Sequence, residues 1–321
     1  MSRAVFGNFA RRIKAYGSAG RASRPLHLTI QANAGSCEHY YHFILGYLLP
    51  LAAHLARREM AEDRVILLRS CGPLDRILHE LSLPGLLCCE RFTHASIRKT
   101  LERSSRVEID EIKGFDFGHL PGEEVLYDGP SIEVGVQFVR ERLVPAIERA
   151  RAELNASWTG NPRVLMIERG ESDPYYQSCL AEVQSSANQR RSVANHGELA
   201  ASMAAVYPGF RSVRLETASL AEQIAWFGST DILVAQHGAA LSNIVWMRPG
   251  AHVIEIDPDV PPNLRTLFCR LADVCEVSYA RLRQAAGVFG PAPAGELAAL
   301  VAAAASANGA ALLSSRDAIA N

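Results

Sequence analysis

The stretch Val234–Glu255, VAQHGAALSNIVWMRPGAHVIE, decides the fold class of this chain. It begins with the last two residues of an apolar run, Asp231–Ala235, and continues with a Gln-His-Gly turn. Apolar side chains then recur at helical spacing over Ala239–Met247, and a second apolar run, His252–Ile256, comes next. A strand, a tight turn, a helix and a strand in this order predict one unit of a parallel α/β sheet.

The turn in this stretch has the properties of an anion site. A helix start at the carboxyl end of a parallel strand presents unpaired amides and a partial positive charge. Gly238 and Ala239 are small enough for a phosphate to approach the backbone, and no acidic residue lies between Asp231 and Glu255. The residues alone leave two interpretations open: a phosphate site, or an ordinary tight turn in which His237 is a hydrogen-bonded loop histidine.

The same alternation of strands and helices extends along the chain, with the polar stretch Asn155–Pro162 between two series of units. The other predicted strands are Leu26–Ala32, Arg64–Arg69, Gly85–Cys89, Glu124–Tyr127, Arg163–Ile167, Phe210–Leu215 and Val274–Tyr279. The other predicted helices are Cys37–Arg57, Pro73–Leu83, Ile132–Leu154, Gly197–Val206, Ser219–Phe227, Pro262–Ala272 and Gly295–Ala307. This order predicts an α/β protein with two Rossmann-like halves that face a cleft.

The domain boundaries follow from composition. We predict a basic flexible leader at 1–24, a first Rossmann-like domain at 25–155, a second at 156–285 and an Ala-rich tail at 286–321. The leader carries six basic and no acidic residues, whereas the remainder holds 27 basic and 34 acidic ones. Such a leader is typical of a disordered tail, of peripheral membrane contact or of a transit peptide. We expect the tail to form a helix that packs back on the first domain or frays.

Composition excludes several classes of protein. Hydrophobic residues make up 48% and charged residues 21% of the 321, and the net charge of −1 gives no sign of a nucleic-acid partner. Seven cysteines without a CxxC pair support neither a zinc site nor a disulfide framework, so we expect reduced thiols and a cytoplasmic location. A dinucleotide-dependent oxidoreductase is disfavoured because no G-x-G-x-x-G follows a predicted strand.

The segment His237–Ile256, HGAALSNIVWMRPGAHVIEI, resembles the His-Gly-Ala-Gly-Leu-Thr-Asn signature of glycosyltransferase family 61 and the Pro-Gly pair and strand that follow it. Further similar pieces, in chain order, are Tyr40–Phe43 followed by Pro50, Ile167–Arg169 with Arg191 and Asn195, and Leu215–Phe227. The resemblance covers roughly residues 38 to 280, and four pieces in the right order make it specific.

The resemblance implies a GT-B fold of two Rossmann-like domains, with the donor held mainly by the second. It implies an inverting, metal-independent transfer of a sugar from a nucleotide-diphosphate sugar, with UDP favoured and no cofactor, to a hydroxyl of a glycan or polysaccharide. Bacterial members tend to act in the biosynthesis of capsular and other surface polysaccharides. The alternative is a non-catalytic member of the same fold that binds nucleotide or glycan.

The chain departs from the family pattern at three places. Ala240 stands where glycine is common, and the interval Arg169–Arg191 is longer than usual, with Tyr175–Tyr176 expected to line the cleft. Gly46 stands where relatives often carry an acidic residue. The last departure leaves the identity of the catalytic base open.

The donor site predicted from the resemblance uses charge and backbone amides. Arg169 follows a strand and would contact phosphate with both arms, an exposed ion pair being its alternative. His237 would donate to a phosphate or ribose oxygen, and Glu255 would accept from the ribose or base or else cap a loop. The predicted donor-binding residues are Arg169, His237, Gly238, Ala239, Ala240, Ser242, Asn243 and Glu255.

The predicted catalytic group lies in the first half. Glu38 and His42 are four residues apart on the first predicted helix, so they would share a face, with the carboxylate orienting the imidazole. We therefore expect His42 to be the base with Glu38 beside it, and His39 to be the second choice. The alternative for His42 is a core histidine next to Tyr41 and Phe43.

No metal site is predicted. Asp257-Pro258-Asp259 has the spacing of an Asp-x-Asp metal clamp, but it follows a strand of the second half and precedes a Pro-rich helix start, which accounts for the acids.

Overall fold

The computed structural model describes residues 26–31, 35–58, 66–83, 86–89, 108–115, 127–184 and 186–319. The basic leader and most of the predicted strand Glu124–Tyr127 lie outside these residues. The described residues form two parallel sheets with helices packed on them, which confirms the predicted α/β class.

The first sheet has four strands in the order β3-β2-β1-β4, all parallel. The strands are β1 (Leu26–Gln31), β2 (Ile66–Arg69), β3 (Leu86–Cys89) and β4 (Glu108–Lys113). The sequence analysis missed β4 because this edge strand, EIDEIK, is mostly charged and lacks the apolar run that marks a buried parallel strand.

The helical stretch after β1 has three parts. α1 (Tyr40–Phe43) leads into a π-helical turn (Ile44–Leu48) and then into α2 (Leu49–Ala56). The wider π-helical turn releases the carbonyl of Leu45, which accepts a 2.8 Å hydrogen bond from the amide of Phe115. The next helical stretch is a 3₁₀ turn (Gly72–Leu74) followed by α3 (Asp75–Glu80).

Glu38 does not lie on this helix, so the predicted shared helical face with His42 is wrong. A turn precedes α1, in which the amide of His39 donates to the Ser36 carbonyl at 2.9 Å. The amide of Glu38 donates to Ser36 Oγ at 3.2 Å. The serine therefore stabilises a turn rather than a helix start, and the helix begins at Tyr40.

The second sheet has five parallel strands in the order β6-β5-β7-β8-β9. The strands are β5 (Val164–Glu168), β6 (Phe210–Arg214), β7 (Ile232–Gln236), β8 (His252–Asp257) and β9 (Ser278–Arg283). The first four match the predicted strands. The prediction Val274–Tyr279 starts too early, because Val274 still belongs to the preceding helix.

Helices cover both faces of this sheet. They are α4 (Gly129–Ser157), α5 (Ala187–Arg190), α6 (His196–Val206), α7 (Leu220–Ser229), α8 (Pro262–Arg265), α9 (Leu267–Val274) and α10 (Ala294–Ile319). Three 3₁₀ segments, Pro174–Gln177, Ala239–Trp246 and Gly287–Phe289, complete the described elements. The second of them is the segment predicted as an α-helix. A reciprocal Ser219–Glu222 capping box starts α7.

The Ala-rich tail packs on the second sheet, not on the first domain as predicted. Leu297, Val301 and Ala304 of α10 belong to the hydrophobic cluster formed by buried side chains of β5, β7 and β8. The connection from β9 to α10 is short, so the helix covers the nearest exposed apolar face. Asn195 supports this arrangement, because its side chain exchanges two 2.9 Å hydrogen bonds with the backbone of Ala292 instead of capping α6.

One hydrophobic core joins the two sheets. Long helix α4 packs against α2 of the first half and α7 of the second, and the core contains Leu45 and Leu48 together with Ile224 and Trp246. Across the described residues, no helix combines the length and the apolar character needed to cross a membrane.

Candidate active site

A cavity of about 790 Å³ lies between the two sheets. The turn before α1, the loops after β5 and β6, and the Gln-His-Gly turn after β7 all contribute lining residues. The volume lies within the range of ligand pockets, and the site is formed by the carboxyl ends of parallel strands, where α/β proteins bind ligands.

Arg169 reaches the centre of this site directly after β5. Its Nε donates to Gln236 Oε1 and its Nη2 donates to the His237 carbonyl, both at 2.9 Å. A Cβ at Gly238 would lie 2.0 Å from Arg169 Nη2, so the turn needs a glycine there. Burial, followed by the positive charge of Arg191, lowers the pKa of Arg169. The side chain is held rigidly at a position that disfavours its own charge.

Two further arginines, Arg190 and Arg191, lie close to Arg169. Arg191 donates from Nη1 to the same His237 carbonyl at 2.9 Å, and its buried Nε has no partner. Burial and then the adjacent charge of Arg190 lower the pKa of Arg191. Among the described residues none of the three arginines forms an ion pair with a carboxylate. Three cations that form no ion pair with a carboxylate favour the binding of an anion.

Backbone amides complete this anion site. The 3₁₀ segment that starts at Ala239 makes its first hydrogen bond from the Leu241 amide to the Gly238 carbonyl, at 3.0 Å. The amides of Gly238, Ala239 and Ala240 have no partner within the described part of the chain. We call Arg169, Arg191 and the Gly238–Ala240 amides the arginine edge.

Ser242 and Asn243 do not line the cavity. Both are fully buried, and Ser242 Oγ donates to the Ala239 carbonyl at 2.6 Å. The Tyr40 hydroxyl donates to Gln223 Oε1 at 2.7 Å, and Asn243 Oδ1 lies 2.9 Å from the same hydroxyl. These two predicted donor residues thus brace the 3₁₀ segment and join it to the start of α1.

His237 and Glu255 form a buried pair behind the arginine edge. Nδ1 of His237 hydrogen-bonds Glu255 Oε1, and the edge of the ring packs on Phe268 at a centroid distance of 5.1 Å. The His237 ring lines the cavity, whereas Glu255 is fully buried behind it and does not. The structure therefore places Glu255 beside a histidine and away from the cavity surface.

Glu38 connects the turn before α1 to the long interval after β5. Its Oε1 accepts a 2.8 Å hydrogen bond from the Tyr175 hydroxyl, and its Oε2 accepts a 2.7 Å bond from the Glu182 amide. Its carbonyl accepts from the Tyr176 hydroxyl at 2.9 Å. Tyr176 lines the cavity as predicted, whereas Tyr175 packs over Gly72, where a Cβ would lie 2.8 Å from its ring. These bonds fix the insertion to the first half.

His39 and His42 face the arginine edge from the segment Gly35–His42, which we call the histidine turn. Arg190 Nη1 donates to His39 Nε2 at 2.6 Å, so the ring proton lies on the buried, unpartnered Nδ1. Burial, followed by Arg190 and His42, lowers the pKa of His39 to about 3. His39 is therefore neutral with its lone pair engaged, which makes it a poor base.

His42 sits at the cavity wall with its ring held from two sides. Its centroid lies 5.4 Å from that of His39 and 5.0 Å from that of Tyr41, which meets it edge-on. A Cβ at Gly35 would lie 2.5 Å from Nε2. The absence of a side chain at Gly35 thus leaves room for the ring in its observed position.

The family model described as Glycosyltransferase 61 matches residues 40–254 of the 321. The chain belongs to glycosyltransferase family 61. The match includes His42, Arg169 and the stretch His237–Asn243. No curated protein matches the chain.

This family 61 member is therefore a glycosyltransferase, with a sugar donor and an acceptor as substrates. Asp257 and Asp259 each bond to a residue of their own segment and also pair with an arginine of β9, Arg281 and Arg283 respectively. Asp257 Oδ1 accepts from the Val260 amide at 3.0 Å, and Asp259 pairs with Arg265 at 2.5 Å. Over the described ranges no cluster of three or more His, Cys, Asp or Glu residues is arranged to hold a metal ion.

Sequence reasoning missed charged lining residues of this glycosyltransferase, among them Arg190. Arg190 was not predicted, although it contacts His39 and adds to the positive field on Arg169. The available signal was the consecutive pair Arg190-Arg191 within the long insertion, since adjacent basic residues without nearby acids indicate an anion site.

Proposed function

We propose that this glycosyltransferase moves a sugar from a nucleotide-diphosphate sugar to a hydroxyl group of a glycan or polysaccharide, with inversion and without a metal ion. One observation carries the proposal. The arginine edge brings partly buried cations without carboxylate partners and unpartnered backbone amides to one wall of a cavity. A diphosphate supplies the missing negative charge and the acceptors for these donors.

The arginine edge also suits the departure of the diphosphate as leaving group. In the transfer, the bond from the anomeric carbon to the diphosphate breaks and the diphosphate gains charge. Preorganised donors at that position stabilise the transition state more than the ground state. The guanidinium groups and amides of the arginine edge stabilise the negative charge on the leaving diphosphate, as a divalent cation does in metal-dependent transferases.

His42 is the residue that we assign as base. Inversion needs an acceptor hydroxyl that attacks from the side opposite the diphosphate, with a base close to that hydroxyl. The histidine turn faces the arginine edge across the cavity, and His42 lies on the wall there. The lone pair of His39 accepts a hydrogen bond from Arg190, so His39 is less suited to take the proton. The Glu38 carboxylate accepts from Tyr175 and from the Glu182 amide, so it is less suited as well.

We assign the two sheets to the two domains of a GT-B enzyme. In this assignment 25–155 forms the acceptor side and 156–285 the nucleotide-sugar side, with the arginine edge at the carboxyl end of the second sheet. We further propose a cytoplasmic enzyme of surface-polysaccharide synthesis that contacts the membrane peripherally through residues 1–24, which lie outside the described residues.

Arg169→Ala tests the donor site. Arg163 and Arg169 flank β5 at opposite ends, so Arg163→Ala removes the same charge from the same strand away from the cavity. After a panel of UDP-, GDP- and CMP-sugars has identified the donor by thermal shift, calorimetry measures binding of the matching nucleotide. We expect at least about 100-fold weaker binding for Arg169→Ala, about 2.7 kcal/mol, and near-normal binding for the control.

Two outcomes would contradict the proposal. Equal affinities of the Arg169→Ala protein and the wild type would exclude the diphosphate site. Tight nucleotide binding by the wild type without transfer or donor hydrolysis would identify the chain as a binding member of the fold instead.

A further inference from the structure

Glu255 and His237 form a hydrogen-bonded pair of side chains that is not part of the arginine edge. Glu255 Oε1 hydrogen-bonds Nδ1 of His237, while its Oε2 is buried without a partner. Glu255 is fully buried, and no other ion pair to it occurs among the described residues. A buried carboxylate with one partner is costly unless that partner carries the opposite charge.

The pair fixes which nitrogen of His237 meets a ligand. Because Nδ1 is engaged by Glu255, Nε2 is the nitrogen that remains, and it has no hydrogen-bond partner in the described part of the chain. Phe268 packs against the ring and limits its rotation. Carboxylate and aromatic contacts together hold a single ring orientation at the cavity wall.

The position of His237 identifies the side of the reaction on which it acts. Its carbonyl accepts hydrogen bonds from both Arg169 and Arg191, so the residue is part of the wall that would hold the diphosphate. An attacking hydroxyl approaches from the opposite side of the sugar. His237 is therefore placed to act on the leaving group and not to remove the proton of the acceptor.

We propose that Glu255 is a positioning residue that orients the His237 ring, so that Nε2–H of the imidazolium donates to the departing diphosphate when the anion occupies the cavity. As the acceptor oxygen bonds to the anomeric carbon, the carbon–oxygen bond to the diphosphate breaks and its electron pair stays on the diphosphate. The acceptor proton passes to His42, and His237 keeps its proton. This proposal rests on the proposed function, and it replaces the ribose contact predicted for Glu255.

Charged and titratable groups from several elements surround the pair. Arg169 and Arg191 face His237 from the loops after β5 and α5. Arg281 is the register partner of Glu255 on β9, and on α9 the Cys269 thiol feels the negative charge of Glu255. The cations oppose a further positive charge while the cavity holds no anion. Entry of a diphosphate removes that opposition, so binding and protonation of His237 should be coupled.

Inorganic diphosphate is the probe that tests this coupling, since it needs no knowledge of the nucleotide. Calorimetry on the full chain at pH 6 and pH 8 compares the wild type with His237→Asn and Glu255→Gln. We expect the wild type to bind about tenfold more tightly than either variant at pH 6, with the difference shrinking at pH 8. Ionisation of the probe itself is common to all proteins and cancels in the comparison.

Each variant has a matched control. Glu296→Gln, an exposed change on α10, controls for the loss of one carboxylate, and thermal unfolding checks that the buried Glu255→Gln protein folds. Asparagine at position 237 can still donate to Glu255 but lacks a group at the position of Nε2. His237→Asn therefore carries the test if Glu255→Gln does not fold.

The outcomes separate this proposal from the donor site itself. Wild-type affinity and pH dependence in both variants, with binding lost in Arg169→Ala, would overturn the His237 proposal and leave the diphosphate site standing. Unchanged binding in Arg169→Ala as well would overturn the proposed function. Lower turnover in His237→Asn with unchanged diphosphate binding at both pH values would place the residue on the acceptor side and also overturn the proposal.

Discussion

The arginine edge and the histidine turn face the same cavity, but they are held in place by different means. At the arginine edge, strand ends, a tight turn and backbone carbonyls position every group. The histidine turn has only the local bonds that its amides donate to Ser36, and no strand end. Contacts from the insertion after β5, made by Arg190, Tyr175 and Glu182, complete its support. The first region is built by its own sheet, whereas the second depends on a loop from the other half.

The largest expected effect comes from Gly238→Ala, which disrupts the arginine edge where the backbone of Gly238 lies against Arg169. The added Cβ would lie 2.0 Å from Arg169 Nη2, and the buried guanidinium cannot move without losing its bonds to Gln236 and His237. We expect nucleotide binding to weaken about 100-fold, or about 2.7 kcal/mol, as measured by calorimetry.

Gly250→Ala is the control for that change. Gly250 also has a positive φ, of 78°, but nothing lies within 4 Å of an added Cβ, so the variant introduces backbone strain without the clash. We expect normal nucleotide binding. If Gly238→Ala binds nucleotide within twofold of the wild type, the arginine edge is not held as the structure indicates.

Gly35→Ala should separate the two regions. Its Cβ would lie 2.5 Å from His42 Nε2, so the ring must leave its observed position, while the arginine edge is untouched. We expect kcat to fall about tenfold or more with nucleotide affinity unchanged, because a misplaced base costs rate and not donor binding. Gly197→Ala, where a Cβ meets nothing within 4 Å, is the control. An equal loss of nucleotide affinity would make the histidine turn part of the donor site.

The same difference explains what the sequence could predict. The strand ends that carry Arg169, His237 and Glu255 follow local apolar runs, so the five-stranded sheet and its edge were predictable. Edge strand β4 was not, because it is polar. Glu38 was misplaced because its partners, Tyr175 and Glu182, are about 140 residues away in sequence, and no local pattern contains that contact.

Tyr175→Phe tests the link between the insertion and the histidine turn. It removes the hydroxyl that donates a hydrogen bond to the Glu38 carboxylate at Oε1. We expect the free energy of unfolding to fall by about 2 kcal/mol, measured by denaturant titration, since bonds to charged groups are the stronger ones. Tyr207→Phe, whose hydroxyl has no partner among the described residues, should change stability little. Equal effects of the two changes would show that the link does not stabilise the fold.

His39 offers the smallest effect, and it reports the burial and the positive charge at the histidine turn. Its pKa is about 3 in the folded protein, lowered by burial and then by Arg190, His42, Arg191 and Arg169, against 6.5 for an unperturbed histidine. Between these values the unfolded chain binds a proton that the folded chain does not. The free energy of unfolding therefore falls as the pH drops below 6.5.

From pH 7 to pH 5.5 this contribution amounts to about 1 kcal/mol, and His39→Gln removes it. Denaturant titrations at the two pH values should thus show a smaller loss of stability in His39→Gln than in the wild type. His79→Gln, at an exposed position on α3, should lose as much stability as the wild type. If His39→Gln and the wild type lose stability equally, His39 is not kept neutral by its burial and by the positive charges around it. His39 would then again be a candidate for the base.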